Sequence, residues 1–441
     1  MIHYSKVAIA KELELKRDRI IFRFFEMLPG LATWGTFGLL LFFSWSEPLW
    51  VAVFIIGFDI YWFFRTIYFS FYAWVGYRKM KTATAQDWLH ELDSLPLGEY
   101  SIPLSSWRKI HHLIIIPMVN ESYEIARGTF EALKNADYPK EQMIAVLALE
   151  ERAGKEAFEV GEKIESEFSH AFGYFFVTRH PANIEGEIAG KGSNEAWAAR
   201  EIKKNYIDPQ EIPYEHIIVS TFDVDTVVAP QYFSRLSYVF LTTPNPLQTS
   251  FQPVSLFTNN IWDAPSVSRL LAFSTTFWQA LNQERKDKLV TFSSHSMSFK
   301  ALYDIDFWQV NVVSEDSRIF WQCFLHYNGD YKVEPLYYPV YMDANLAPTF
   351  WHTMKNIYKQ QLRWAYGVGD TAYLLFGFLK NKKIPLRKKI HRGFFTFEGY
   401  HSWATNALII FSLGRVPLVL GGEQFRSTLI AYNLPRMAQN I

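Results

Sequence analysis

The chain has 441 residues, more than the roughly 250 to 300 at which single hydrophobic cores stop growing, so more than one domain is expected. Its 44 lysines and arginines balance 44 aspartates and glutamates, which removes a basic surplus as an argument for a nucleic-acid partner. A single cysteine, Cys323, excludes an internal disulfide and a metal site built on cysteine, and suits a reducing compartment.

The first elements are apolar. Lys16, Arg17, Arg19 and Arg23 precede an uncharged stretch from Leu28 to Trp45, about the length that crosses a bilayer, and Pro48 to Phe64 follows, interrupted only by Asp59. The pattern predicts a transmembrane hairpin over residues 27–70, turning at Ser46, Glu47 and Pro48. It is too long to read as a cleaved signal peptide, and a second apolar segment follows too closely. Arg65, Arg78, Lys79 and Lys81 lie beyond it, so the positive-inside rule puts both flanks, including the segment 1–26, in the cytoplasm. A soluble enzyme with a buried N-terminal hairpin is the competing reading.

Apolar runs then alternate with helical periodicity across 100–345. Leu113 to Ile116 reads as a strand, and Tyr123, Ala126, Phe130 and Leu133 recur at helical spacing. Ile144 to Leu149 is a second strand, followed by a helix with Val160, Ile164 and Phe168 on one face. Tyr174 to Val177, a helix over Lys191 to Tyr206, and the strand Ile217 to Thr221 complete the series. The expected fold class is α/β with a mostly parallel sheet, flanked by transmembrane helices.

In such sheets ligands bind beyond the carboxyl ends of the strands. Asp223 and Asp225 follow such a strand, two residues apart, so on an extended segment both side chains face one side. Magnesium is commonly held by one or two carboxylates while substrate phosphates complete its shell, so a metal-bridged diphosphate fits the pair. A turn in which the aspartates cap backbone amides fits it too.

After residue 345 come the helical stretch FWHTMKNIYKQQLRWAYG and a basic segment with seven lysines and arginines between Lys380 and Arg392. We read 346–400 as amphipathic helices lying on anionic lipid, with a solvated basic linker as the alternative. Residues 401–441 hold a third candidate span, Trp403 to Leu420, weakened by Asn406, Arg415 and Pro417. An end so soon after a third crossing reads as a truncated chain.

Five stretches occur in a telling order: IIIPMVNE (Ile114 to Glu121), GKGSNEA around Lys191, FDVDT at Asp223, VSED ending at Asp316 and QQLRW ending at Trp364. Together they resemble the membrane-embedded, processive-type family 2 glycosyltransferases, the group of cellulose, chitin and hyaluronan synthases, over roughly residues 110 to 370. The resemblance implies a GT-A-like nucleotide-binding domain and assigns roles by position. Pro117, Asn120 and Glu121 match the loop that begins the nucleotide pocket. Glu150 and Glu151 stand where the family usually carries aspartate for a uridine base, and Lys191 matches the basic residue near the diphosphate. Asp223 and Asp225 match the DxD that holds Mg2+ or Mn2+, with Asp225 as the direct ligand. Glu315 and Asp316 match the end of a TED signature in which the last acid is the general base, though SED also suits a helix N-cap. Gln360, Arg363 and Trp364 match QxxRW; in a helix they share one face, where arginine can fork onto phosphate and tryptophan can support a sugar ring. A helix anchored at a membrane surface by that tryptophan would look the same. His295 falls where related enzymes line the acceptor site.

The implied activity is inverting transfer of a sugar from a nucleotide donor, of the UDP-sugar kind, to a polysaccharide or lipid-linked acceptor. The implied setting is an integral protein of the inner or plasma membrane with its catalytic domain cytoplasmic. The alternative is a catalytically silent membrane protein that binds a nucleotide or glycan and regulates a partner.

Overall fold

Two long helices carry the apolar N-terminal run. In the computed structural model, which describes residues 3–440, α1 (Lys16–Ser46) and α2 (Pro48–Thr84) meet at Glu47. Pro48 opens α2, where its missing N–H breaks no helical hydrogen bond. Both helices are long and apolar enough to cross a membrane. Trp34, Phe42, Trp50 and Phe64 stay exposed on them, an apolar surface that lipid stabilises and water does not.

The chain divides into two compact units, residues 1–72 with 368–441, and residues 73–367. The second unit opens with the end of α2 and α3 (Trp88–Ser94). An α/β layer follows: β1 (His111–Met118), α4 (Tyr123–Lys134), β2 (Met143–Glu150), α5 (Lys155–Phe168), β3 (Tyr174–His180), α6 (Lys191–Ile202) and β4 (Ile217–Thr221). The next elements are β5 (Val227–Val228), α7 (Tyr232–Thr242), β6 (Thr249–Phe257), α8 (Ser266–Gln283), β7 (Ser296–Ser298) and α9 (Phe299–Asp304). The unit closes with α10 (Glu315–His326), β8 (Lys332–Met342) and α11 (Phe350–Ala365).

The strands form one sheet in the order β3-β2-β1-β4-β7-β6-β8-β5. Its β3-β2-β1-β4 half is parallel, and β1, β2 and β4 are buried on both faces, which is why β1 and β2 read as unbroken apolar runs. Leu113 to Ile116 lose all exposure, worth roughly 1.5–3 kcal/mol each before chain entropy is charged against it. Ala126, Phe130 and Leu133 bury one face of α4, whose first turn is capped by Ser122. The expectation of a mostly parallel sheet needs correction, because the other half is mixed. β7 pairs antiparallel with β4 and β6, β8 runs parallel to β6, and β5 pairs antiparallel with β8. Pro253, Pro335 and Pro339 interrupt the strand signal there, and β6 slips register between Gln252 and Val254.

In the first unit, α12 (Gly369–Lys380) and α13 (Leu386–Phe411) pack on α1. Val7, Phe22, Ala372 and Phe376 form one apolar cluster, and an Arg65–Glu398 ion pair of 2.5 Å joins α2 to α13. The third candidate span, Trp403 to Leu420, is broken in the structure. α13 ends at Phe411, and a short turn leads to α14 (Val416–Leu420), the two segments bending by 49°. Pro417 sits in the first turn of α14, where it can start a helix but could not continue one.

Candidate active site

The parallel strands β1, β2 and β4 end on the same edge of the sheet, and the chain leaves β4 there through Phe222 into Asp223, Val224 and Asp225. Val224 is buried in the core, and the Thr129 hydroxyl donates to its carbonyl at 2.6 Å. The Thr226 amide donates to the Asp223 carbonyl at 2.9 Å, closing a tight turn that fixes both carboxylates.

Lys191 is the first residue of α6 and converges on this turn. Its Nζ lies 2.7 Å from Asp223 Oδ1, and 3.0 and 3.3 Å from Asp316 Oδ1 and Oδ2. One ammonium therefore joins the DxD turn after β4 to the acid that opens α10. The glycine after it makes this possible: a Cβ on Gly192 would stand 2.7 Å from Glu315 Cβ, so any other residue would push α6 from α10. Glu195, one turn along α6, is fully buried with its Oε1 3.7 Å from Lys191 Nζ, and among the described residues neither carboxylate oxygen has a hydrogen-bond partner.

Four acids, Asp223, Asp316, Glu195 and Glu315, thus act on one lysine, Asp225 adjoins Asp223, and the proton affinities of Asp223, Asp225, Glu315 and Glu195 diverge. Burial would raise Asp223, but Lys191, the Ser293 hydroxyl and Arg363 hold it below the usual carboxylate range. Burial pushes Asp225 up to about 7, with help from Asp223 and Asp343. Glu315 rises to about 8 through burial and the neighbouring Asp316. Glu195 is raised by burial despite the pull of Lys191. Burial would lower Lys191, yet Asp223, Asp316, Glu195 and Glu315 keep it well above its ordinary value. Such divergence within one cluster is typical of functional sites.

A five-residue segment, Thr291 to His295, ties the cluster together. The Thr291 hydroxyl donates to the Asp316 carbonyl at 2.5 Å, and the Ser293 hydroxyl donates to Asp223 Oδ2 at 2.6 Å. Phe292 packs edge-on against Trp364, their centroids 6.1 Å apart. Gln252 of β6 holds the segment by accepting from the Phe292 amide at 2.8 Å. His295 is buried, its Nδ1 3.1 Å from the Phe292 carbonyl and 3.9 Å from Asp316 Oδ1. Burial lowers it to about 4, so it is neutral at pH 7.

On α11, Arg363 is exposed and acts electrostatically on Asp223 and Glu315, while Gln360 and Trp364 are half-buried. The remaining residues singled out in the sequence belong to the ends of β1 and β2. Pro117 lies within β1, Asn120 is exposed, and Glu121 accepts from the Val119 and Asn120 amides at 2.8 and 3.1 Å. Glu150 is buried and paired with Arg152, while Glu151 accepts from the Ala182 amide at 2.8 Å. The hydrogen-bond partners of Glu121, Glu150 and Glu151 lie outside this cluster, whereas Lys191, Asp223, Glu315, Asp316 and Trp364 share one neighbourhood. Glu195, Thr291 and Ser293 belong to it as well and were not singled out in the sequence. Glu195 lies in the GKGSNEA stretch but was given no role there, and Thr291 and Ser293 are of types that nothing in the sequence separates from surface residues.

The donor chemistry of Asp223 and Asp225 suits a hard divalent cation: Asp225 Oδ1 is buried with no hydrogen-bond partner among the described residues, and Asp223 beside it is ionised. Among the described residues no group of three or more His, Cys, Asp or Glu side chains is placed to hold a metal, so a cation here would draw further oxygens from a ligand.

No protein-family model matches the chain, and no curated protein matches it. Solved structures do. One is the mannosyltransferase PcManGT from Pyrobaculum calidifontis in complex with GDP-Man and Mn2+, with 12% identity, 87% of this chain and 96% of that one covered, and a TM-score of 0.45. Another is TarS 1–349 from S. aureus in complex with UDP-GlcNAc, with 11% identity, 75% and 92% covered, and a TM-score of 0.36. The same fragment in complex with UDP gives 11% identity, 75% and 89% covered, and a TM-score of 0.35.

Proposed function

We propose that the protein is a membrane-bound inverting glycosyltransferase of the family 2 type, moving a sugar from a nucleotide donor, of the UDP-sugar kind, to a polysaccharide or lipid-linked acceptor. The observation that carries this reading is the Lys191 ammonium, 2.7 Å from Asp223 and 3.0 Å from Asp316. It supports a shared role for Asp223, read as a donor-side acid, and Asp316, read as the base, because it joins them from distant parts of the chain at the carboxyl edge of the parallel strands. The two apolar helices and the cytoplasmic reading of their basic flanks supply the membrane setting.

In this reading Asp316 accepts the proton of the acceptor hydroxyl as that oxygen bonds to the anomeric carbon. The bond from carbon to the diphosphate oxygen breaks on the opposite face, so the centre inverts without a covalent enzyme intermediate. Asp223 and Asp225 would hold Mg2+ or Mn2+, which when bound offsets charge on the leaving diphosphate. Lys191 and Arg363 add fixed positive charge near the same phosphates. Trp364, braced by Phe292, offers an apolar wall for a sugar ring.

The test is release of nucleoside diphosphate by the detergent-purified chain from a panel of uridine-linked sugars, with and without Mg2+ or Mn2+. Metal-dependent release from at least one donor, absent in Asp316→Asn, is expected. Donor binding without turnover across the panel would replace this reading with that of a silent, regulatory binder.

A further inference from the structure

Away from the cleft, the end of α2 borders a cavity of about 480 Å3 whose chemistry points to a second ligand. α2 seats tightly against α8 here: a Cβ on Gly76 would stand 2.3 Å from the Ala280 carbonyl oxygen. Three cations line the cavity, Arg78 and Lys79 of α2 and Arg235 of α7, and among the described lining residues none carries a carboxylate. Trp74, Trp88 and Tyr337 supply aromatic walls. Arg78 lies over Trp74 at 4.9 Å, Lys79 over Tyr337 at 4.9 Å and Arg235 over Trp88 at 4.0 Å.

Arg235 is the informative residue. Its Nε donates to the Leu336 carbonyl at 3.1 Å, but among the described residues its two terminal nitrogens meet no acceptor and it has no ion pair. Burial lowers its pKa to about 10, so it remains a cation at neutral pH, largely desolvated and without a counter-ion. Glu334, the acid facing it from β8, is engaged by Lys286 and Lys332 on the side of an adjoining cavity of about 410 Å3. Lys79 is partly neutralised by Glu284 at 2.8 Å; Arg78 is not paired among the described residues. Two arginines without partner acids, facing one aromatic-walled cavity, match the forked geometry that binds phosphate oxygens.

The position indicates the source of that phosphate. Phe71, Trp74 and Tyr77, in the turns of α2 just before the cavity, are exposed aromatics of the kind that settle at the membrane–water boundary. Arg78 and Lys79 follow directly, at the level where anionic headgroups collect.

We propose that Arg78 and Arg235, with Lys79, bind the phosphate of an anionic ligand, and that this ligand is the headgroup of a membrane phospholipid. The proposal is independent of the catalytic reading. It is tested on the full chain in neutral detergent, titrated separately with dihexanoyl phosphatidic acid, dihexanoyl phosphatidylcholine and inorganic phosphate, with binding read by tryptophan fluorescence. Phosphatidic acid is expected to saturate the protein at least tenfold more tightly than phosphatidylcholine, and Arg235→Gln and Arg78→Gln are each expected to weaken it at least tenfold. Arg78 is exposed and lies over Trp74, so its variant serves even if Arg235→Gln does not fold. Equal binding of the two lipids, or unchanged phosphatidic acid binding by the variants, would overturn the site. Inorganic phosphate that binds as tightly as phosphatidic acid and displaces it would overturn the lipid as the source.

Discussion

Replacing Lys191 by methionine keeps the aliphatic stem and removes the charge that Asp223 and Asp316 share. At 2.7 and 3.0 Å, with an effective dielectric near 20, the two attractions amount to about 6 and about 5.5 kcal/mol before desolvation. Desolvating the ions opposes this by several kcal/mol. The carboxylates keep 35% and 24% exposure, so solvent screening brings the expected net loss to the low end for a broken buried pair, about 3 kcal/mol. Spread over the second unit's entropy of unfolding, that corresponds to a fall in Tm of about 5 °C. The pH dependence has a definite sign. Lys191 holds Asp223 below its ordinary range, so this stabilisation is present above the unfolded pKa of about 3.9 and is lost as pH falls through the lower native value. Thermal unfolding of the detergent-purified wild type and Lys191→Met, followed by tryptophan fluorescence at pH 7.5 and pH 3.5, should show the full gap at the higher pH and a smaller one at the lower. Lys191→Arg should recover most of the stability. A gap of equal size at both pH values, or none, would refute the shared ion pair.

Asp316→Asn should abolish transfer with donor affinity within about threefold of wild type, as measured by calorimetric titration with the donor that turns over; comparable loss of affinity would give Asp316 another job. Asp225→Ala should weaken donor binding about tenfold or more with Mg2+ or Mn2+ present and little in a chelator, and an unmutated protein indifferent to metal would end the coordination argument. Glu315 has its native pKa raised to about 8, so it costs stability progressively as pH climbs from its unfolded value near 4.5 through 8. Glu315→Gln should therefore raise Tm at pH 8.5 relative to wild type by more than at pH 5. Gly192→Ala should cost about 1–3 kcal/mol, because its methyl group meets Glu315 Cβ, and it should also reduce transfer by separating Lys191 from Asp316.

Much of the α/β layer was legible because burial on both faces leaves strands as plain apolar runs and helices with one apolar stripe. Leu113 to Ile116, Ile144 to Leu149 and Ile217 to Thr221 all fall inside strands, and Ala126, Phe130 and Leu133 are buried on one helix face. The returning half of the sheet was not legible: prolines break β6 and β8, and β7 has only three residues, too few for any period to register. In the third candidate span Arg415 and Pro417, which weaken it in the sequence, fall at the break between Phe411 and Val416 and in the turn just after it. At the site, spacing marked Asp223 and the family resemblance marked Asp316, but neither showed that one lysine lies between them. That arrangement depends on how closely α6 meets α10, which Gly192 permits and no local pattern announces. The same holds for Ser293 and Glu195, whose roles exist only after the loop and helix have docked.

The segment from Thr291 to His295 works as a strap, fastened to the turn after β4, to the start of α10 and to the tryptophan of α11. Parts so fastened cannot loosen one at a time. Small lesions anywhere along the strap should therefore be felt at all three anchor points together, and a scan of single substitutions should show these five positions as one block of intolerance rather than as scattered weak spots.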